Sequence, residues 1–249
     1  MGYLMGPNSI SAQKPRRDRL AYSLEQAMMY PLEVVELDLS NQNLTELDER
    51  IGELMNLQRL YLEGNRLDNL PYVLARLGGL KRLNLSYNRF EELPVALFSL
   101  KELEILDLTH NELPDLDSGM EKLENLKQLD LSDNRLTALP EYLHELRMLE
   151  RLEARHNQIA GLPSSLGALK FLTQLDLEGN QLSSLPSSVG GWESLKRLLL
   201  RNNQLTDLPE SLSDCLGLRY IDLRGNPIEK SQRKPLNAKL PGIYLHFGD

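Results

Sequence analysis

Histidine, cysteine and carboxylate side chains could perform acid–base, nucleophilic or metal chemistry, but the sequence does not space them for it. The four histidines stand at positions 110, 144, 156 and 246. His110 and His156 stand at equivalent places in two copies of a 23-residue pattern, with one copy between them. If each copy contributes one strand of a sheet with strands about 4.8 Å apart, the two histidines lie roughly 10 Å from each other, too far to share one metal ion. The chain also lacks a phosphate-binding glycine loop, a His-Glu-x-x-His motif, a Cys-x-x-Cys pair and a Gly-x-Ser-x-Gly turn. We therefore expect no catalytic residues, no metal site and no cofactor.

The single cysteine, Cys215, cannot form an internal disulfide bond. It falls at the twenty-first position of a repeated pattern, where another copy has Trp192 and most copies have leucine. A free cysteine commonly serves as a small apolar core residue. We therefore interpret Cys215 as a packing residue and not as a nucleophile.

The repeated pattern recurs every 23 positions and reads Leu-x-x-Leu-x-Leu-x-x-Asn-x-Leu-x-x-Leu-Pro. Its nine copies, which have no insertion or deletion between them, begin at Val34, Leu57, Leu80, Leu103, Leu126, Leu149, Leu172, Leu195 and Leu218. A fixed period of this length predicts a solenoid, in which each unit buries its apolar side against its neighbours.

This pattern resembles that of the leucine-rich repeat proteins, and residues 126–140 match it almost without change. The Leu-Pro variety is similar to plant intracellular Ras-group-related proteins, Ras-pathway scaffolds and many bacterial repeat proteins. The resemblance implies an α/β solenoid: a leucine-rich repeat horseshoe with a parallel concave β-sheet and a convex side of turns and short 3-10 or α helices. It also implies a scaffold that binds other proteins, but the family does not indicate which partner is bound or for which function.

We expect four segments along the chain. Residues 1–19 contain Lys14, Arg16, Arg17 and Arg19 and are expected to be a disordered basic N-terminal arm. Residues 20–33 are expected to form an N-terminal helical cap that begins at the capping-box spelling Ser23-Leu-Glu-Gln26. Residues 34–228 form the nine repeats, and residues 229–249 form a C-terminal cap with a polar helix and a final strand-like segment.

An asparagine recurs after the strand of eight copies, and its amide can satisfy backbone groups that the turn would otherwise bury unpaired. These residues are Asn65, Asn88, Asn111, Asn134, Asn157, Asn180, Asn203 and Asn226. The first copy has Gln42 instead, which indicates a less regular edge.

Composition restricts the class of partner. A net charge of −8 and an isoelectric point near 5.2 argue against general nucleic-acid binding. The sequence has no apolar run of about 18 residues, so we expect no membrane span. Because no secretory signal is visible, we expect a cytoplasmic location; a signal peptide removed before Met1 would instead make the protein secreted. We also expect a monomer.

Outward strand positions are the candidates for partner contact. The central outward position is acidic in most copies (Asp38, Asp107, Asp130, Glu153, Asp176 and Asp222), which we interpret as keeping an exposed sheet soluble. Apolar bulk interrupts the polar pattern at Tyr61, Ile105, Leu199 and Tyr220. Arginines gather in the later copies, at Arg151, Arg155, Arg197, Arg201 and Arg224. Aromatic and arginine side chains with apolar neighbours are typical of interface hot spots.

These observations favour a non-enzymatic cytoplasmic interaction module or signalling scaffold. It would hold a protein or peptide of some acidic character on its concave sheet. Two alternatives stay open at this point: a secreted or surface bacterial protein acting on a host or extracellular partner, and a regulator or activator of a GTPase or another signalling enzyme.

Overall fold

The computed structural model describes residues 20–248, and the expected basic arm at residues 1–19 lies outside them, as does Asp249. Within this range one parallel sheet follows chain order from end to end. Its strands are β1 (Leu20–Ala21), β2 (Glu36–Asp38), β3 (Arg59–Tyr61), β4 (Arg82–Asn84), β5 (Ile105–Asp107), β6 (Gln128–Asp130), β7 (Arg151–Glu153), β8 (Gln174–Asp176), β9 (Arg197–Leu199), β10 (Tyr220–Asp222) and β11 (Tyr244–His246).

The sequence period sets the register of this sheet. Leu60 pairs with Leu83, and Leu83 pairs with Leu106, so each step across the sheet moves one full repeat along the chain. The middle residue of each repeat strand points into the core, while the first and third residues point out. This alternation places every outward side chain beside its equivalent on the next strand.

Short 3-10 helices form the side opposite the sheet. In the described residues they are Glu49–Glu53, Tyr72–Arg76, Val95–Ser99, Ser118–Lys122, Glu141–Glu145, Ser164–Ala168, Ser187–Gly191 and Glu210–Asp214. The repeated proline stands immediately before most of them, as Pro71 does with φ near −65°. Two copies have Asp48 or Asp117 there instead, and each carboxylate accepts a hydrogen bond from a backbone N–H of its helix. The predicted α/β solenoid is confirmed.

The core is a continuous stack of leucines between sheet and helices. The twenty-first position of each of the first eight repeats is buried, and Trp192 and Cys215 at this position both donate a hydrogen bond to a backbone carbonyl. The indole N–H of Trp192 donates to Leu166 O at 2.9 Å, and the Cys215 thiol donates to Val189 O at 3.2 Å. Burial raises the pKa of the Cys215 thiol. Cys215 is therefore a core residue, as predicted.

The asparagine ladder connects adjacent repeats. The Asn134 amide donates to Leu131 O in its own repeat and to Leu108 O in the preceding one, and its side-chain oxygen accepts from Leu113 N–H. The other ladder asparagines make the equivalent bonds. Gln42 does not: its side chain is exposed and donates to Tyr22 O in the N-terminal segment.

Both ends of the solenoid carry a strand and a helix. At the N-terminal end, α1 (Leu24–Met28) begins at Ser23, whose hydroxyl accepts from Gln26 N–H, and it buries Leu24 and Ala27. Strand β1 pairs with β2 ahead of this helix, a strand that the sequence did not predict. At the C-terminal end, α2 (Lys230–Lys239) leads into β11. No helix among residues 20–248 has the length and apolar character to cross a membrane.

Candidate functional site

The exposed face of the sheet carries two rows of outward side chains, one from the first residue of each strand and one from the third. The first row contains Glu36, Arg59, Arg82, Ile105, Gln128, Arg151, Gln174, Arg197, Tyr220 and Tyr244. The third-residue row contains Asp38, Tyr61, Asn84, Asp107, Asp130, Glu153, Asp176, Leu199, Asp222 and His246. Positive and aromatic groups therefore face a mainly acidic row.

Three of the predicted arginines are already paired within the protein. Arg155 contacts Glu153 at 3.0 Å and Arg201 contacts Glu178 at 3.4 Å. Arg224 contacts Asp222 at 2.5 Å, and this hydrogen-bonded pair raises the pKa of the guanidinium. The positive surface is consequently smaller than the count of arginines suggests.

Arg151 and Arg197 differ from these three because neither forms an ion pair with any described residue. Arg197 lies on β9 with its guanidinium carbon 5.8 Å from the centre of the Tyr220 ring. Guanidinium groups stack favourably on aromatic faces. Arg197 is thus held against a ring while its charge stays available to a partner.

An aromatic group continues from Tyr220 to the end of the sheet. The Tyr220 and Tyr244 rings stack with centres 5.9 Å apart, and the Tyr220 hydroxyl lies 3.1 Å from His246 Nδ1. Burial, followed by the nearby Asp222 carboxylate, raises the pKa of Tyr220. Tyr244 is 62% exposed. Sequence reasoning missed Tyr244 because the repeat period would place Ile243, and not Tyr244, opposite Tyr220.

Leu199 lies next to this group in the third-residue row and is half-buried between Asp176 and Asp222. We call Arg197, Leu199, Tyr220 and Tyr244 the C-terminal patch. Their Cα positions occupy three neighbouring strands, β9 to β11, so the four side chains form one continuous area.

The other predicted apolar residues lie far from this patch. Tyr61 is six strands from Leu199 and Ile105 is four strands from Arg197, or roughly 29 and 19 Å at the usual strand spacing. Ile105 borders a shallow cleft of about 220 Å³ together with Arg82, Asp107, Asp130 and Arg151. The structure therefore does not bring the predicted residues together as one site.

The middle of the third-residue row is acidic over four adjacent strands, from Asp107 to Asp176. Asp176 is only 4% exposed, and burial raises its pKa to about 6 although a bond from Glu178 N–H and the Arg155 charge oppose this. Burial and then Asp130 raise the pKa of Glu153. Among the described residues no group of three potential ligands could hold a metal ion.

A further row runs along the turns that follow the strands, where the backbone adopts positive φ. Some repeats have glycine there, but repeats three to six have Tyr87, His110, Asp133 and His156. The Tyr87 and His110 rings stack at 4.2 Å, and Asp133 lies 3.5 Å from His110 Nε2 and 3.1 Å from His156 Nδ1. The two histidines thus meet through a carboxylate from the intervening repeat.

Serines stand two places after some of the strands, but they do not form an outward row. Ser86 and Ser132 are buried, and Ser86 bonds to the Asn84 side chain. Substitutions there would test stability and not partner contact.

A family model described as leucine rich repeat matches residues 33–90, 55–113, 78–123, 101–159 and 163–228. The chain belongs to the leucine-rich repeat family. The resemblance deduced from the repeated motif is confirmed. Leucine-rich repeat proteins are in general protein–protein interaction modules, and typically they are not enzymes.

Two solved structures of leucine-rich repeat proteins are similar to this chain. The functional domain of InlJ from Listeria monocytogenes, which includes a cysteine ladder, is 22% identical with a TM-score of 0.71, over 92% of this chain and 46% of that chain. A leucine-rich repeat protein of Leptospira interrogans is 27% identical with a TM-score of 0.42, over 87% of this chain and 73% of that one. The InlJ likeness shows the fold, and a cysteine ladder has no counterpart here because this chain has one cysteine. Comparison with curated proteins gives no match.

Proposed function

We propose that this leucine-rich repeat protein is a non-enzymatic interaction module that holds a partner protein or peptide on the exposed sheet face, at the C-terminal patch. The observation that supports this most directly is Arg197, an unpaired guanidinium stacked on Tyr220 beside the half-buried Leu199. Hot spots of protein interfaces are commonly built from arginine and tyrosine around an apolar centre.

The chemistry of the patch favours a partner with an acidic residue next to an apolar one. Arg197 can form a bidentate pair with a carboxylate, and Tyr220 shields that pair from water on one side. Leu199 would then contact the neighbouring apolar side chain. Arg155, Arg201 and Arg224 keep their internal carboxylates, so they contribute less to partner binding than the sequence alone suggested.

We also propose a cytoplasmic location. Secreted domains often depend on disulfide bonds, whereas the single cysteine of this chain is buried and cannot form an internal one. Fractionation of cells that express the tagged natural gene product would test the location. Recovery of the protein from the medium or the cell surface would overturn it.

Quantitative capture of partners from native lysate tests the binding surface. Leu199→Asp places a charge in the apolar centre of the patch and should weaken capture of the specific partner by about 2 kcal/mol or more in binding free energy. Tyr61→Asp is the matched control, since it makes the same change of charge in the same row on β3. Loss of the partner with Tyr61→Asp and retention with Leu199→Asp would place the contact at the opposite end of the sheet.

The arginines provide a second comparison. Arg197→Ala should weaken binding and reduce its dependence on salt, because it removes an available charge. Arg201→Ala should change both quantities less, since its guanidinium is paired with Glu178. Equal effects of the two substitutions would show that the internal ion pair does not decide which arginine meets the partner.

A further inference from the structure

The outer edge of the sheet at β11 has backbone groups without partners. Tyr244 N–H donates to Arg219 O at 2.9 Å and His246 O accepts from Leu223 N–H at 2.7 Å, so these residues bond to β10. Alternate residues of a strand bond to opposite sides, and therefore the N–H and C=O of Leu245 point away from β10. Neither group is hydrogen-bonded to another described residue. Among residues 20–248 no further strand covers this edge, because β11 is the last strand of the sheet.

Helix α2 holds the edge strand in place. Arg233 donates from Nη1 to Gly248 O at 3.2 Å, and its guanidinium carbon lies 5.2 Å from the centre of the Phe247 ring. The residues that follow β11 are thus fixed before any partner arrives. An ordered edge lowers the entropic cost of adding a strand.

The length of β11 does not prevent pairing. It has three residues, as does each of the repeat strands that pair on both sides inside this sheet. An added strand would also extend the row that ends in Tyr220 and Tyr244, and the exposed Tyr244 ring would cover its first outward side chain. Main-chain bonds and side-chain contact would act together.

The charge beside this edge is positive. Residues 229–248 contain Lys230, Arg233, Lys234 and Lys239 against the single acid Glu229. Lys239 pairs with Asp207, whereas Lys230 and Lys234 form no ion pair with any described residue. On α2, Lys230 neighbours Arg233 at i+3 and Lys234 at i+4, so Lys230 lies close to the contact of Arg233 with β11 and Lys234 lies beside Lys230. A second copy adding its own β11 would bring two such basic helices together.

We propose that the outer edge of β11 binds an extended acidic segment of a partner protein as a twelfth strand. The Leu245 N–H and C=O supply the main-chain hydrogen bonds, Tyr244 packs on the segment, and Lys230 and Lys234 attract its carboxylates. This contact shares Tyr244 with the C-terminal patch but uses neither Arg197 nor Leu199.

A short peptide of alternating glutamate and valine, capped at both ends and fluorescently labelled, is the probe. It should bind the full chain in an anisotropy titration and slow hydrogen exchange of the Leu245 amide. Methylating the backbone nitrogens on one edge of the peptide should weaken binding about tenfold, because the ladder bonds are lost. Lys230→Glu/Lys234→Glu should also weaken it about tenfold, while the matched change Lys196→Glu, which precedes β9, should not.

Each outcome decides the proposal. Binding that is unaffected by nitrogen methylation, or that leaves Leu245 exchange unchanged, overturns the strand addition. Equal binding of a lysine–valine peptide overturns the acidic partner. Self-association of the free protein that slows hydrogen exchange of the Leu245 amide would identify a second copy as the occupant and overturn the proposal. Leu199→Asp should leave peptide binding intact, which separates failure here from failure of the proposed sheet-face function.

Discussion

Replacing the ladder residue Asn134 with alanine should destabilise the protein by about 3 kcal/mol. The Asn134 amide donates to carbonyls in two repeats, at 2.9 Å to Leu108 O and 3.1 Å to Leu131 O. Its side-chain oxygen accepts from Leu113 N–H at 3.1 Å. These three bonds are each worth about 1 kcal/mol, and the substitution leaves the Leu113 N–H buried without a partner. The side chain itself is buried, so solvent cannot compensate for the loss.

Urea unfolding followed by far-ultraviolet circular dichroism measures this effect. The matched control is Asn125→Ala, because Asn125 is exposed and its side chain donates one bond, to Lys101 O. Its cost should stay within about 0.5 kcal/mol. Gln42→Ala should also cost far less than Asn134→Ala, since the exposed Gln42 amide makes a single bond to the described residues, to Tyr22 O. Equal losses for Asn134→Ala and either control would refute the claim that the buried ladder holds neighbouring repeats together.

Two further predictions concern charge and close approach. Because burial raises the pKa of Asp176 from 3.8 to about 6, ionisation of Asp176 opposes folding increasingly between these pH values. Asp176→Asn should therefore raise the free energy of unfolding at pH 7 by about 1–3 kcal/mol and leave it nearly unchanged at pH 4. At Asp222, the effect of burial is outweighed by hydrogen bonds from Arg224, which lower the pKa, so Asp222→Asn should lower the free energy of unfolding at pH 7. Urea titrations in which Asp176→Asn and Asp222→Asn change this free energy in the same direction would contradict the reasoning. Gly167→Ala would place its Cβ 1.9 Å from Ser188 O and should lower the free energy of unfolding by about 1–3 kcal/mol. The control Gly161→Ala meets no atom within 4 Å and should be neutral or stabilising. Equal melting temperatures for the two variants would show that the neighbouring 3-10 helices can move apart.

The repeats could be predicted from sequence because each residue type recurs at a fixed place, and the fold repeats with it. A strand-like segment was expected in the C-terminal cap, but the register of β11 and the presence of β1 could not be predicted. Strand β1 pairs Ala21 with Leu37, whereas the residue one period before Leu37 is Lys14. Strand β11 pairs Tyr244 with Tyr220, whereas the residue one period after Tyr220 is Ile243. Since neither pairing follows the period, no repeated motif marks these strands, and the aromatic contact of Tyr244 with Tyr220 was hidden for the same reason.

Side-chain pairing was the other limit of sequence reasoning at the candidate site. Arg197 and Arg224 both follow the general pattern of outward arginines, but Arg224 folds back onto Asp222 two residues earlier. The residue of β9 that is equivalent to Asp222 is Leu199, so Arg197 has no carboxylate within its own strand. Among the described residues Arg151 also stays unpaired, although Glu153 stands two places away and pairs with Arg155 instead. The available arginines could therefore not be identified from the sequence alone.

The turns that follow the strands include non-glycine residues at positive φ, a conformation that their intrinsic backbone preferences do not favour. Tyr87 and His110 adopt φ near +54° and +52°, where glycine is less strained, and such residues cost about 1–3 kcal/mol each. Their stacking at 4.2 Å, and the contacts of Asp133 with both neighbouring histidines, offset part of this cost. Sequence inspection noted the equivalent histidines but not the carboxylate that joins them.

The constant register of the repeats fixes the spacing between equivalent positions along the sheet. Every repeat advances the sheet by one strand, so equivalent positions on two strands are separated along the sheet by a whole number of strand spacings, each about 4.8 Å. Removal of residues 126–148 would delete one complete unit and join Asn125 to Leu149 at an equivalent junction, without shifting any side chain between faces. Tyr61 and Leu199 would then stand one strand spacing closer. A partner that touches both ends of the sheet must match that scale, and duplication or loss of a unit would change its reach in discrete steps.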